Sequence, residues 1–198
     1  MKQPKIIGFG GSPRKNGNTD VILNAILRGA RSCGADTEMI LLRDQDIHSC
    51  VGCEQCRKDL TCTRFDDDMQ QLYPKIEEAS GLVLGSPTYN YNVTSMVKAF
   101  IDRLYCYYDF TDDRPRQYSS RLAGQGRKAV VFAVCEQEDI EDMGFTLEAM
   151  GKPLNALAYD IVEELPVIGY FDRGIVAEDK DVLQSAFEAG QRLAKELK

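Results

Sequence analysis

The sequence predicts an α/β fold, a doubly wound five-stranded parallel sheet forming one domain over residues 1–198. Three observations predict it. Short apolar runs alternate with longer amphipathic stretches, as strands alternate with crossover helices in such a chain. The apolar runs are continuous, which suits strands buried on both faces. The loops after the first and third runs are rich in Gly, Pro, Ser, Thr and Asn, and doubly wound sheets bind ligands beyond the carboxyl ends of their strands.

The elements follow in order. Residues 5–9 form the first strand. From Thr19, the residues Val21, Ile22, Ala25 and Ile26 repeat at helical spacing, and Gly34 ends the helix. Residues 37–42 are the second strand. Asp66, Asp67 and Asp68 read as caps of a helix running through Met69, Leu72 and Ile76. Residues 81–85 are the third strand, ended by Ser86 and Pro87. A helix then begins near Thr94, with Met96, Val97, Phe100, Ile101 and Leu104 on one face. Residues 105–127 show no period and read as an irregular insertion. Residues 129–134 are the fourth strand, 146–157 a helix and 159–162 the fifth strand. The last helix carries Val182, Leu183, Ala186, Phe187, Leu193, Ala194 and Leu197 as one stripe.

Composition narrows the function classes. The chain of 198 residues is 43% hydrophobic and 28% charged, ordinary for a globular protein. A formal charge of −7 speaks against broad nucleic-acid binding, which needs a positive footprint. No apolar run approaches the ~18 residues of a membrane span, and the N-terminal segment is too short for a signal-peptide core. The expected location is the cytoplasm, where seven cysteines serve as thiols or metal ligands rather than disulfides.

The loop after the first strand reads Gly10-Gly11-Ser12-Pro13-Arg14-Lys15-Asn16-Gly17-Asn18-Thr19 and opens into a helix. Small residues let amides converge on an anion, and the helix N-terminus adds partial positive charge. Ser12, Arg14, Asn16, Asn18 and Thr19 can complete a phosphate cage. A dinucleotide fingerprint fails at Pro13, and a Walker loop fails at Asn16 and Gly17. A monophosphate remains. After the third strand, Pro87 stiffens a loop in which Tyr89 or Tyr91 can cover a flat ring while Asn90 and Asn92 bond its heteroatoms.

Gly11-Ser12-Pro13-Arg14 with Gly17-Asn18-Thr19 forms the first half of a signature. Ser86-Pro87-Thr88-Tyr89-Asn90, followed by Met96-Val97-Lys98-Ala99-Phe100-Ile101-Asp102-Arg103, forms the second. Together they resemble the NADPH-dependent FMN reductase family of flavodoxin-like proteins, over essentially the whole chain. The resemblance implies FMN, with Ser12, Arg14, Asn16, Asn18 and Thr19 on its phosphate and Pro87, Thr88, Tyr89, Asn90 and Asn92 on its ring. It implies an FMN-dependent oxidoreductase that takes hydride from NAD(P)H and passes electrons to a flavin, quinone or other small acceptor. It also implies a homodimer or homotetramer. The third flavin loop of such proteins is often glycine-rich; here it reads Cys135-Glu136-Gln137-Glu138-Asp139, a departure. No catalytic acid or base is expected, because a hydride needs none.

Cys50, Cys53, Cys56 and Cys62 stand within a cysteine-rich loop of residues 48–64. Their compact spacing suits a cubane cluster. It lacks the Cys-Pro of ferredoxins and the paired knuckles of structural zinc. Within such a fold it resembles the iron–sulfur flavoproteins, which implies a [4Fe–4S] cluster on these four residues. The alternative function is then a ferredoxin-fed electron carrier. Free or redox-active thiols and zinc stay open beside the cluster. Cys33, Cys106 and Cys135 read as small buried residues, and His48 as a solvated loop residue.

Overall fold

In the computed structural model, which describes residues 3–198, five strands run parallel in one sheet. They are β1 (Lys5–Gly10), β2 (Asp36–Leu41), β3 (Gly81–Pro87), then two more that follow a short hairpin. The hairpin strands are β4 (Tyr108–Phe110) and β5 (Tyr118–Ser120), and the sheet is completed by β6 (Lys128–Val134) and β7 (Asp160–Val167). The order across the sheet is β2-β1-β3-β6-β7. The order reverses between β1 and β3, so the switch point falls between the loops that follow these two strands. The helices are α1 (Asn18–Ser32), a one-turn α2 (Cys56–Asp59), α3 (Met69–Glu78), α4 (Ser95–Arg103), α5 (Thr146–Ala156) and α6 (Lys180–Glu196).

Alternation within the strands divides the core in two. In β6, Ala129, Val131 and Ala133 pack under α3, α4 and α5 with Leu72, Phe100 and Leu154. Val130, Phe132 and Val134 face the other way, toward α1 and α6 with Ile22, Ile26, Ala186 and Leu193. β1 does the same through Ile7 and Phe9 on one side and Ile6 on the other. Both faces are covered, so the run is apolar throughout.

The structure departs from the sequence reading at three places. β7 runs to Val167, well past residue 162. It pairs only with β6, and such an edge strand tolerates the polar Glu163 and Glu164 and the non-donating Pro166 that broke the apolar run. The stretch 105–127 is not irregular throughout, because β4 and β5 pair antiparallel within it. Aromatic stacking holds this hairpin, with the Tyr105 and Phe110 rings 4.9 Å apart, and ring packing leaves no alternating pattern to read. Finally, α3 starts where the three aspartates predict, but they are only partly caps. Asp67 accepts the Met69 N–H, whereas Asp68 accepts from Asp46 across the chain. Among the described residues no helix is long and apolar enough to cross a membrane.

Candidate functional site

The loop between β1 and α1 is shaped from behind. Asp20, in the first turn of α1, accepts the Asn16 N–H at 2.8 Å and pairs with the Arg43 guanidinium at 2.9 and 2.8 Å. Arg43 Nη1 also reaches the carbonyls of Ser12 at 3.1 Å and Arg14 at 3.3 Å. The amides of Gly11, Arg14 and Asn16 are likewise engaged within the protein. α1 has Gly17 at its N-cap, so no side chain caps its first amides, which carry the positive end of the helix dipole. Ser12 and Thr19 are buried beside them.

The loop after β3 is stitched to the first. Gly11 N–H donates to Gly85 O at 2.8 Å, and Thr94 Oγ1 donates to Gly11 O at 2.8 Å. Ser86 Oγ accepts the Thr94 N–H at 3.2 Å. Tyr89 and Asn92 exchange backbone hydrogen bonds around Asn90 and Tyr91, whose φ values of +50° and +63° make a tight left-handed turn. Tyr91 is not a residue that favours this region; Phe145 N–H holds it by donating to Tyr91 O at 2.8 Å.

Between the two loops lies a cleft of about 400 Å³, within the ~300–1,000 Å³ of small-molecule sites. The first loop lines it with Ser12, Arg14, Asn18 and Thr19, and the second with Pro87, Thr88, Tyr89 and Asn90. Asn16 and Asn92 do not line it. Asn16 is exposed, and Asn92 turns its Oδ1 to the N–H of Val93 at 2.8 Å. From the loop after β6 only Glu136 takes part; Cys135 is buried.

A third wall escaped the sequence reading. Tyr170, Phe171 and Arg173, after β7, close the cleft. Arg14 donates to Phe171 O at 2.9 Å and lies 4.7 Å over its ring. Asn18 Nδ2 donates to Asp172 O at 3.0 Å while its Oδ1 accepts the Val176 N–H at 3.2 Å. Both side chains are therefore engaged with this wall. Ending the fifth strand at residue 162 concealed it; an aromatic pair beside an arginine, just past a strand's carboxyl end, was the available signal.

The residues fit FMN on two counts. Buried hydroxyls and uncapped helix amides meet at one end, where a phosphate needs them. Pro87, Tyr89 and Asn90 offer a partly apolar, partly polar surface at the other.

A second, smaller cavity of about 180 Å³ is lined by Cys50, Cys53, Cys56 and Cys62 together. Burial pushes the Cys56 thiol up, and the neighbouring Cys62, Cys50 and Cys53 push it further. The Gly52 N–H donates to Cys50 Sγ at 3.4 Å. The 105–127 hairpin clasps this loop. Arg116 grips Glu54 with both terminal nitrogens, and Arg121 donates to Leu60 O at 2.8 Å. Arg103 also lines the cavity, its side chain 1% exposed and paired with the fully buried Asp67. This ion pair too was missed, its aspartate having read as a cap. Among the described residues no three His, Cys, Asp or Glu side chains are gathered as a metal site. The donor set nonetheless suits a thiolate-held centre, since four thiols share one cavity with a buried cation. Cys106 and Cys135 are buried and Cys33 is partly so. His48 is half exposed and stacks on Phe65 at 5.0 Å.

Comparison with known proteins follows the same lines. Residues 4–134 match the family model of the NADPH-dependent FMN reductases. An iron–sulfur flavoprotein of Archaeoglobus fulgidus is 32% identical over 183 residues, covering 88% of this chain and 82% of that one. Another, from Methanocaldococcus jannaschii, is 37% identical over 99 residues, so that match spans 50% of this chain and 51% of the relative. Over several of its curated relatives the chain thus aligns with about half their length. Among solved structures, an NAD(P)H:quinone oxidoreductase from Methanothermobacter marburgensis superposes with a TM-score of 0.72 at 18% identity, covering 97% of this chain and 100% of that one.

Proposed function

Because this chain belongs to the NADPH-dependent FMN reductase family and has a flavodoxin-like fold, we propose that it is an FMN-dependent oxidoreductase that takes hydride from NAD(P)H and passes electrons to a flavin, quinone or other small acceptor. The observation that carries this reading is the cleft at the switch point, walled by Ser12 and Thr19 on one side and Pro87 to Asn90 on the other. FMN, when bound, supplies the redox chemistry by accepting a hydride at its ring and releasing electrons singly or in pairs.

The chain's own residues position and shield. Ser12, Thr19 and the first amides of α1 bind the phosphate. Asn18 and Arg14 brace the Tyr170–Arg173 wall against that loop. Thr88 has a defined polarity. Thr146 Oγ1 donates to Met143 O at 2.8 Å, which spends its only proton. Thr88 Oγ1, 3.1 Å from Thr146 Oγ1, must then be the donor between them. Its lone pairs are left for an N–H of the ring. Tyr89, 45% exposed, covers the open side. Tyr91, Phe145 and Phe171 stand exposed around the loops, which supports a homo-oligomer that covers them.

The purified protein is expected to bind FMN about one to one, with NADH or NADPH bleaching the flavin absorption anaerobically. Bleaching by neither would turn the balance to a second reading, an electron carrier fed by ferredoxin through a [4Fe–4S] cluster. That reading is favoured by the four cysteines sharing one cavity and by the relatives named iron–sulfur flavoproteins. Cys50, Cys53, Cys56 and Cys62 would hold the cluster, which supplies one-electron transfer. Iron analysis of anaerobically purified protein tests it.

A further inference from the structure

Arg103, the last residue of α4, has spent most of its hydrogen-bonding capacity. Nη1 donates to Asp67 Oδ2 at 2.5 Å and to His48 O at 2.9 Å, and Nη2 donates to Asp67 Oδ1 at 3.0 Å. The Phe65 ring lies 5.1 Å from its Cζ. Asp67 is fixed in turn by the N–H groups of His48 and Met69. Nε alone is buried with no hydrogen-bond partner, on a side chain that lines the cavity of the four cysteines. An unmet donor on a buried charged group is costly; Arg43 and Arg116 also carry an unpartnered Nε, but of the three it is Arg103 that lines this cavity.

We propose that Arg103 donates its Nε–H to an anionic iron–sulfur centre held by Cys50, Cys53, Cys56 and Cys62, and that this bond sets the centre's reduction potential. The proposal rests on the cluster reading given above. The guanidinium and Asp67 are neutral as a pair, and Asp67 occupies both terminal nitrogens, so Nε is the nitrogen of this cavity-lining side chain left without a partner. Four thiolates and a [4Fe–4S] core form a dianion. One electron, delivered by reduced FMN or by ferredoxin, makes it a trianion, with no bond formed or broken. A fixed donor stabilises the trianion more than the dianion, so Arg103 raises the potential. The neighbouring thiolates gain charge tolerance from the same bond. Zinc in this cavity would have no second redox state to tune.

The test compares three full-length proteins reconstituted anaerobically with iron and sulfide: wild type, Arg103→Lys and Asp67→Asn. Each is scored for FMN, for iron and, by EPR-monitored dye titration, for the cluster's potential. Arg103→Lys keeps a cation against Asp67 but has no Nε. It should retain FMN and about four irons per chain. Its reduced-to-oxidised ratio at fixed potential should fall about tenfold, equivalent to about 59 mV for a one-electron couple. Asp67→Asn removes the carboxylate behind Arg103 and should move the ratio upward. Iron in all three proteins with unchanged ratios overturns the role of Arg103 and leaves the cluster standing. A wild type that takes up zinc, or no metal, overturns both. If Arg103→Lys loses FMN and so has not folded, Asp67→Asn decides: no rise there overturns the proposal.

Discussion

The Thr94 hydroxyl donates to the carbonyl of Gly11 at 2.8 Å, so the residue that caps α4 also ties the β1 loop to the β3 loop. The two sides of the cleft are thereby one mechanical unit. Gly11 has no room for anything larger. A Cβ there would stand 2.0 Å from Val97 Cγ2 and 2.9 Å from Gly85 O. Gly11→Ala should cost about 1–3 kcal/mol by overpacking, read as a lower denaturant midpoint. It should also weaken FMN binding, read by fluorescence. An alanine variant of unchanged stability would show that the two loops are free to part.

Arg43 does not itself line the cleft, yet it holds Ser12 O, Arg14 O and Asp20 together. Arg43→Ala should raise the dissociation constant for FMN about tenfold, through a loop that no longer holds Ser12 in register with the start of α1; one lost hydrogen bond to a charged group is worth about 1.5–3 kcal/mol. Riboflavin, which lacks the phosphate, should bind wild type and variant alike. Equal losses for both ligands would place the effect in the global fold instead.

Acid should unfold the protein partly through Asp67. Burial opposes its ionisation, but the Arg103 guanidinium and the N–H groups of His48 and Met69 outweigh burial and hold its carboxyl below the usual range. A folded pKa below the unfolded one contributes stability above the unfolded value, about 4, and loses it as pH falls through the folded value. Urea midpoints measured downward from pH 5 should therefore decline below about pH 4, and less steeply in Asp67→Asn. Identical slopes in the two proteins would assign the decline to other carboxylates.

Thiol alkylation of metal-free protein, followed by mass spectrometry at mildly alkaline pH, should divide the cysteines. Cys50 and Cys53 are exposed and should react first. Cys56 should lag, since burial and its sulfur neighbours raise its pKa. Cys106, pushed up to about 12 chiefly by burial, should react only on unfolding. A Cys106 that reacts with the first group would mean that the core under the hairpin opens readily.

What could be read from the sequence was whatever left a local trace. β1, β3 and β6 are buried on both faces and announce themselves as apolar runs, and the glycines and hydroxyls of the first loop sit within a few positions of one another. β7, an edge strand with Glu163, Glu164 and Pro166, leaves a weaker trace, and its early ending hid Tyr170 and Phe171. The pairs Asp20 with Arg43 and Asp67 with Arg103 join residues 23 and 36 positions apart. Nothing in either local pattern marks a partner at such separation, and Asp67 gave a plausible local reading as a cap. Asn16 and Asn92 carried the right chemistry in the right loops, but whether an amide faces a ligand or its own backbone depends on turn geometry that composition does not convey.

Asn18 spans the greatest sequence distance in the site, reaching forward to the backbone of Asp172 and Val176. This has a consequence for the protein's birth on the ribosome. A chain emerges at about 5–20 residues per second, N-terminal end first. The β1 loop, β3 and β6 are all made before the segment that Asn18 must grasp, so the cleft gains its third wall only after both of its loops have been synthesised.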